Sequence, residues 1–570
     1  MKKSSQLLLS ITLLALHPLS AADLVIGDVT YDVGATSATV KRCDTAAVGA
    51  IPIESTVMGM PVTGIDDDAF KNCGSVTGIS LPNGIESIGE KAFERCDDLL
   101  SINLPNGLTT IGDDAFRFCE SLTILSIPSS VTSLGEETFY SCGELLTVIL
   151  PPGITTIGAY MFADCEKLIN LTLPDGILSI GDEAFSNCLA LESINIPASV
   201  TSIGDYVFYD CESMTSIDVD PLNTTFTTVD GVMFSKDLTK LHRFPCGKQG
   251  PYTIPTGTLS IEFYAFEYCV NLVNLTIPNT VQTIAEEAFY YSQELTTIDI
   301  PDSVTSIGSR AFYSCSGLTS VTIGSGLNTL GGRAFDNCDG LLSFTVDPLN
   351  TNFASVDGVL FSNDLTSLIQ FPAGRTGIYH IPNGTILIGD YSFRSCEALT
   401  GVVIPDSVTT IGAYAFNGCD ELRSVTIPAG VTSIREYAFH RCDKLTSISF
   451  LGNAPGEIQT GALPTFLLDF EYKARVGATG FDTGYFASIV VDAHLNITSM
   501  SFDLNGNLIV ITDALDSSGF KVRYTNDLVS AYSDLTGASD VGSNGFMIPA
   551  GHAALAADNL FFQLEYNSPF

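Results

Sequence analysis

Tryptophan is absent from this chain, and only six histidines occur in 570 residues. The first absence removes the usual stacking platform of a sugar-binding lectin. The second leaves little for a histidine-based metal centre, and His242, His380, His440, His494 and His552 show no ligand spacing. Basic residues are also scarce: 25 Lys plus Arg against 64 Asp plus Glu, a net charge of −39. Such a surface repels nucleic acid and anionic membranes. Charged residues make up only 16%, against about 25% in an average globular chain, so the acidity reflects missing cations and not acidic runs. No apolar run approaches the ~18 residues of a membrane-spanning helix. No HExxH, GxSxG or P-loop is present, and no Cys pair has the C-x₂₋₄-C spacing of a zinc site. The reading is therefore a non-enzymatic chain without a cofactor.

What is present begins with a targeting pattern. Lys2 and Lys3 precede the apolar stretch Leu7 to Leu16, and the small residues Ser20, Ala21 and Ala22 follow. These are the three regions of a secretory signal, expected over residues 1–22. Its removal would take the charge from −39 to −41. The expected location is secreted, extracellular or on a bacterial cell surface, with no membrane insertion after cleavage.

Cysteine then discloses a repeat. Cys73, Cys96, Cys119, Cys142, Cys165, Cys188 and Cys211 are 23 residues apart; Cys269, Cys315 and Cys338 continue, with Ser292 in the vacant slot, and Cys396, Cys419 and Cys442 finish the series. A Phe stands three residues before each slot, from Phe70 to Phe439. After Cys119 come Leu122, Leu125, Ile127 and Pro128, an L-x-x-L-x-L run closed by a residue that cannot donate to a ladder. One such unit cannot bury its apolar face; a stack of them can. Two interruptions of 58 residues carry DPLNTTFTTVDGVMFSKDLTKLHRFP and DPLNTNFASVDGVLFSNDLTSLIQFP, whose Asp-Gly pairs predict projecting hairpins.

Units such as LTTIDIPDSVTSIGSRAFYSC and LRSVTIPAGVTSIREYAFHRC resemble the BspA-type leucine-rich-repeat family of bacterial secreted and surface proteins. The resemblance covers about residues 24 to 491. It implies export, surface display and binding to macromolecules or cells, with no reaction and no cofactor. The expected fold is a leucine-rich-repeat solenoid of 23-residue units, with a parallel sheet on the concave face, helical or 3₁₀ turns on the convex side, and a small C-terminal antiparallel β module. The expected segments after the signal are a capping segment (23–62), the solenoid (63–450, with modified coils at about 212–265 and 339–392), a closing coil (451–491) and the β module (492–570).

The ladder cysteines read as small buried thiols, because coils ~4.8 Å apart hold parallel Cβ atoms beyond the ~3.8 Å a disulfide prefers. Cys43 and Cys246 lie outside the ladder and stay open. Acidic residues after the bend, among them Asp67, Asp113 and Glu136, form a column that could take Ca²⁺, but no EF-hand loop is present and placement at the first turn of a helical segment is the favoured reading. The exposed sheet column reads as short polar residues such as Ser126, Thr172 and Asn195. The late coils differ: Tyr391, Tyr414 and Tyr437 share one repeat position, with Arg394, Arg423, Arg435 and His440 near them in sequence. Tyr and Arg are enriched at binding hot spots, which makes these the candidate contacts for a protein or cell-surface ligand. The function read from the sequence is protein binding or adhesion, with a self-associating envelope or matrix component as the alternative.

Overall fold

The computed structural model of the protein describes residues 22–463, the strand backbone of 471–474, Thr479 and further strand backbones between 496 and 564. The expected signal segment, apart from Ala22, lies outside the described residues. The chain divides into two units, Met1–Asp237 with Phe244–Lys248 and Leu238–Arg243 with Gln249–Phe570. Each is a stack of 23-residue coils.

The coil between Cys119 and Cys142 shows the plan. Ile124–Ser126 pairs in parallel with Thr147–Ile149, which pairs with Asn170–Leu171. Leu125 points inward while Ile124 and Ser126 face out, the period of two that a half-buried strand imposes. The dipeptide Ser133–Leu134 forms a second parallel ladder with Thr110–Ile111. A third ladder runs through the turn after the bend. There the Glu137, Phe139 and Ser141 N–H groups donate to Ala159, Met161 and Ala163 O of the next coil at 3.0, 3.0 and 2.8 Å.

That third ladder corrects the expected helical turns: among the described residues there is neither α- nor 3₁₀-helix. The cause is conformational. Glu137 and Ser141 hold φ of 52° and 54°, and the same two positions are left-handed in coil after coil. A left-handed residue costs about 1–2 kcal/mol outside glycine. It also turns alternate N–H groups out of the segment, so they bond to the neighbouring coil, while Tyr140 and Cys142 N bond three residues back to Glu137 and Phe139 O. The bend glycine is a steric demand: a Cβ on Gly135 would lie 2.3 Å from Asp113 N. The carboxylates after the bend cap N–H groups, but of the following coil. Asp67, Asp113 and Asp182 Oδ1 accept from Glu90, Glu136 and Asp205 N at 2.8, 2.9 and 3.0 Å.

Inside, the Phe rings stack from Phe70 to Phe208 in the first unit, and from Phe266 to Phe335 and again from Phe371 to Phe439 in the second. Phe116, Phe139 and Phe162 are 5.8 and 5.3 Å apart with planes within 15°, an offset geometry that aromatic rings favour. The Phe carbonyl has two uses. Phe116 O accepts Cys119 N at 3.1 Å and the Cys142 thiol at 3.1 Å. The same pattern joins Cys96 to Phe70, Cys188 to Phe162 and Cys419 to Phe393. In the vacant slot the Ser292 hydroxyl donates to Phe266 O at 2.5 Å. The ladder position therefore asks for a small buried donor.

Both insertions contain the expected hairpins. Phe226–Val229 pairs with Val232–Ser235, and Phe353–Val356 with Val359–Ser362. Their turn residues are left-handed: Asp230 and Gly231 at 51° and 76°, Asp357 and Gly358 at 47° and 76°. They do not project. Gly231 O accepts Ile217 N at 2.8 Å and Gly358 O accepts Phe344 N at 2.8 Å, so each hairpin tip lies back on its own strand rung. Buried Asn223 anchors the first one. Its amide donates to Pro197 and Val200 O, and its carbonyl accepts from Thr225 and Phe226 N. Asn350 repeats the device.

The chain ahead of the first Cys slot contributes a rung to both sheets: Gly49–Pro52 pairs with Val76–Ser80, and Met60–Ile65 with Ser87–Ile88. Towards the C-terminus, Asn496–Phe502 pairs antiparallel with Leu508–Asp513, and that strand with Gly519–Tyr524. Gly519–Tyr524 pairs in parallel with Asn559–Leu564, so these strands are not all antiparallel. Ser539–Asp540 pairs antiparallel with Phe546–Met547, and the segments between these strands lie outside the described residues.

Replacing Phe139 with Ala removes one ring from a close-packed stack and should cost about 3–5 kcal/mol. Cys142→Ser keeps the donor, as Ser292 does, and should cost under about 1 kcal/mol. Urea unfolding of the two variants checks the ranking; equal losses would refute it.

Candidate partner-binding surface

The repeat positions that face away from the core are where a ligand can be met. Tyr391, Tyr414 and Tyr437 occupy the left-handed turn position, with φ of 61°, 55° and 52°. Backbone bonds to the next coil fix them: Tyr391 N to Ala413 O and Tyr414 N to Glu436 O, both 2.9 Å. Their rings therefore stack, 5.2 and 5.1 Å apart, and remain half-buried. His440 meets the edge of Tyr437 at 5.3 Å, and its Nδ1 is 3.1 Å from the Asn417 amide. Arg435 flanks the ladder, paired to Asp390 at 3.2 Å.

Two of the other expected cations serve elsewhere. Arg394 reaches buried Asp336, which also takes Arg333 Nε at 2.8 Å. Arg423 stands at the strand ladder beside Glu421 at 3.6 Å, not among the tyrosines. Arg333, which the sequence reading did not single out, has its guanidinium 5.5 Å from the Tyr391 ring centre and 5.3 Å from that of Tyr313. Tyr313 stacks in turn on Tyr290 at 5.3 Å. The aromatic column thus begins earlier than the three late coils, through a cation that only the coil stacking brings there. Burial, reinforced by Tyr291, Tyr313 and Glu287, pushes the Tyr290 phenol up to about 12. Burial and Glu436 raise Tyr414. These phenols are neutral donors at any physiological pH. Beside the column, Tyr291, Ser314, Asn337, Asp339, Ser395 and Glu397 line a polar cleft of about 290 Å³.

A second surface lies on the strand ladder of the first unit. The expected column of short polar residues is broken there by Ile149. Leu100, Ile124, Leu146, Ile149 and Ile169 are between 38% and 59% exposed. They occupy four successive rungs: Leu146 N bonds to Thr123 O, and Ile169 N to Leu146 O at 3.2 Å. Just ahead of these rungs stand Asp97, Asp98, Glu120, Glu144 and Glu166, all exposed. The carboxylates stack as the coils do, and burial together with Glu120 raises Asp97. Lys167 answers Glu144 at 2.6 Å. The sequence signal was available in the residues just before each strand, where Leu100, Leu146 and Ile169 share one repeat position; attention to a single outward position missed it.

Among the described residues, no group of three or more His, Cys, Asp or Glu side chains is placed to hold a metal ion. Among the described residues, no helix is long and apolar enough to cross a membrane.

The family described as "BspA type Leucine rich repeat region (6 copies)" matches residues 63–188, 138–249, 243–366 and 377–464. No curated protein matches the chain. Among solved structures, a leucine rich cell surface protein from Faecalibacterium prausnitzii is 27% identical, covering 76% of this chain and 96% of that one, with a TM-score of 0.47. A leucine-rich repeat protein from Bacteroides ovatus is 25% identical over 80% and 100% of the two chains, TM-score 0.37. The pneumococcal vaccine antigen PcpA is 20% identical over 77% and 97%, TM-score 0.46.

A phenol whose folded pKa lies above its unfolded value near 10 adds stability below pH 10 that is lost as pH rises through the folded value. Alkaline titration followed at 295 nm should show tyrosines ionising near pH 12, one fewer in Tyr290→Phe. An unchanged high-pH phase in that variant would count against the assignment.

Proposed function

Because the chain belongs to the BspA-type leucine-rich-repeat family, we propose that it is an exported, non-enzymatic protein that binds other proteins, or adheres, at the cell surface or in the extracellular matrix. The observation that carries this reading is the aliphatic stripe of Leu100, Ile124, Leu146, Ile149 and Ile169 beside a stacked carboxylate column. Rigid apolar side chains held outside the core by a strand ladder lose little entropy on contact, and contiguous exposed apolar residues mark interaction sites. The acidic column selects the partner's sign. It fits a protein surface that combines aliphatic side chains with Lys or Arg, and it steers such a surface to the stripe.

The Tyr391–Tyr414–Tyr437 ladder, with Arg435 and His440 at its edge, is a second contact surface in the other unit. Its phenols donate hydrogen bonds while their rings offer apolar area, the combination favoured at hot spots. Arg394 supports it by holding Asp336, and Arg423 acts from the strand ladder. Self-association is disfavoured, because a second copy brings the same negative charge.

Attachment of the labelled full chain to immobilised surface or matrix proteins tests the reading. Leu146→Ser with Ile149→Ser should weaken it more than tenfold, and raising salt from 50 to 500 mM should weaken the wild type. Tyr414→Ala should give a smaller loss. If the double variant, native by circular dichroism, attaches like wild type, the stripe is not the site. A concentration-dependent rise in sedimentation coefficient without added protein would favour the matrix component.

A further inference from the structure

Thirteen of the 15 cysteines occupy the 23-residue ladder, and two, Cys43 and Cys246, do not. Inside the ladder a thiol has a task. Cys142 donates to Phe116 O, and the coils on either side hold Cys119 and Cys165 one rung away. Rungs ~4.8 Å apart are too far for parallel Cβ atoms to bridge without moving the backbone. Ser292 shows that the task needs a donor and not sulfur chemistry.

The first rung is different. No earlier coil offers Cys73 a Phe carbonyl, and its sulfur lies 3.6 Å from Asp44 O, a longer contact than the 3.0–3.3 Å that Cys96, Cys119, Cys142 and Cys442 make to theirs. Asp44 follows Cys43, the last residue of the strand Ala38–Cys43. The Cys43 N–H donates to Ala69 O at 2.6 Å, which pins that strand end against the turn leading to Cys73. The neighbouring Cys73 thiol, and then burial, push the Cys43 thiol up. Both side chains are buried, at 6% and 0% exposure.

We propose that Cys43 and Cys73 are a disulfide-forming pair that ties the capping segment to the first coil when the chain folds in an oxidising compartment. The step is thiol–disulfide exchange with a small disulfide such as oxidised glutathione. One cysteine thiolate attacks a glutathione sulfur and expels one reduced glutathione. The second cysteine thiolate then attacks the mixed disulfide and expels the other. Two protons leave the cysteine thiols, the pair gives up two electrons, and the donor disulfide is reduced to two thiols. Burial pushes thiols of this kind upward, Cys142 to about 12, so exchange belongs to the stage at which the cap docks, before the pair is enclosed. Cys246 stands near Cys211, but Cys211 keeps its ladder bond to Phe185 O at 3.1 Å, and the second insertion has Ala373 where the first has Cys246. No bridge is assigned there.

The test does not depend on export or on any partner. The reduced full-length chain is refolded in a buffer of oxidised and reduced glutathione, then alkylated with iodoacetamide in urea without reductant. Trypsin cuts after Arg42 and Lys71, which separates the two cysteines. The expected product is peptide 43–71 joined to peptide 72–91, released by dithiothreitol, with Cys119 and Cys142 recovered alkylated. Cys43→Ser should leave Cys73 alkylated. The oxidised wild type should unfold at higher urea than the same protein held in dithiothreitol. Recovery of Cys43 and Cys73 both alkylated, or of Cys43 joined to another cysteine, overturns the pairing. Coincident unfolding of the oxidised and reduced wild type overturns the tie, even if the Cys43→Ser variant does not refold.

Discussion

Every coil in this protein must present its backbone polar groups to the coil before and the coil after, in a register of 23 residues. The rest of the structure follows from that requirement. A buried N–H or C=O without a partner costs about 1–3 kcal/mol, so a coil cannot slip by one residue without losing several bonds together. Three ladders share the work: the long strands, the dipeptide strands and the turn segments. The turn ladder is the unusual one. It requires two left-handed residues per coil, and most coils bend at a glycine with no room for a Cβ, although Ala285 and Arg435 take that place in two of them. A segment that would otherwise close on itself as a helix is thereby opened toward its neighbours.

The same requirement governs how extra residues are accommodated. Each 58-residue interval must leave one coil and re-enter the next at the positions the ladder dictates. In the second unit Gly374 N reaches Leu341 O at 2.9 Å, and Ser395 Oγ reaches Asn337 Oδ1 at 2.9 Å, across 58 positions. The intervening chain folds into a hairpin whose tip returns to a strand rung. A buried asparagine with all four of its hydrogen bonds made fixes the exit. That is why the two insertions share both length and the text DPLNT.

The period, the inward Leu and Phe positions and the hairpin turns were legible because apolar residues and Asp-Gly pairs carry their physics locally. The turn conformation was not. An acidic residue after a glycine resembles a helix N-cap, and nothing local says that the N–H it caps belongs to the next coil, as Glu136 N does for Asp113. Nor is proximity in the chain proximity in space. Arg423 is nine residues from Tyr414 in sequence but sits on another ladder, whereas Arg333, 58 positions before Tyr391, lies against its ring. On a solenoid the useful coordinate is the repeat position, and residues that share it are neighbours. Read that way, Leu100, Leu146 and Ile169 form one column.

Stacking also repeats every surface charge at the coil spacing, so an acidic position becomes an acidic column. The chain relieves this in two ways. Some carboxylates cap a backbone N–H, as Asp67 and Asp182 do. Others meet a lysine of an adjacent coil, as Glu94 meets Lys71 at 2.9 Å and Glu144 meets Lys167. Each exposed pair of this kind adds at most about 1 kcal/mol. With 25 basic residues against 64 acidic ones the supply runs short. Asp97, Asp98, Glu120 and Glu166 remain exposed beside the aliphatic stripe. Such a column repels its own copies and lowers its energy when cations arrive. A partner that brings lysine or arginine together with apolar side chains relieves the repulsion and covers the stripe in one contact. On the proposed function, the shortage of basic residues is thus the feature of the composition that sets the sign of the partner.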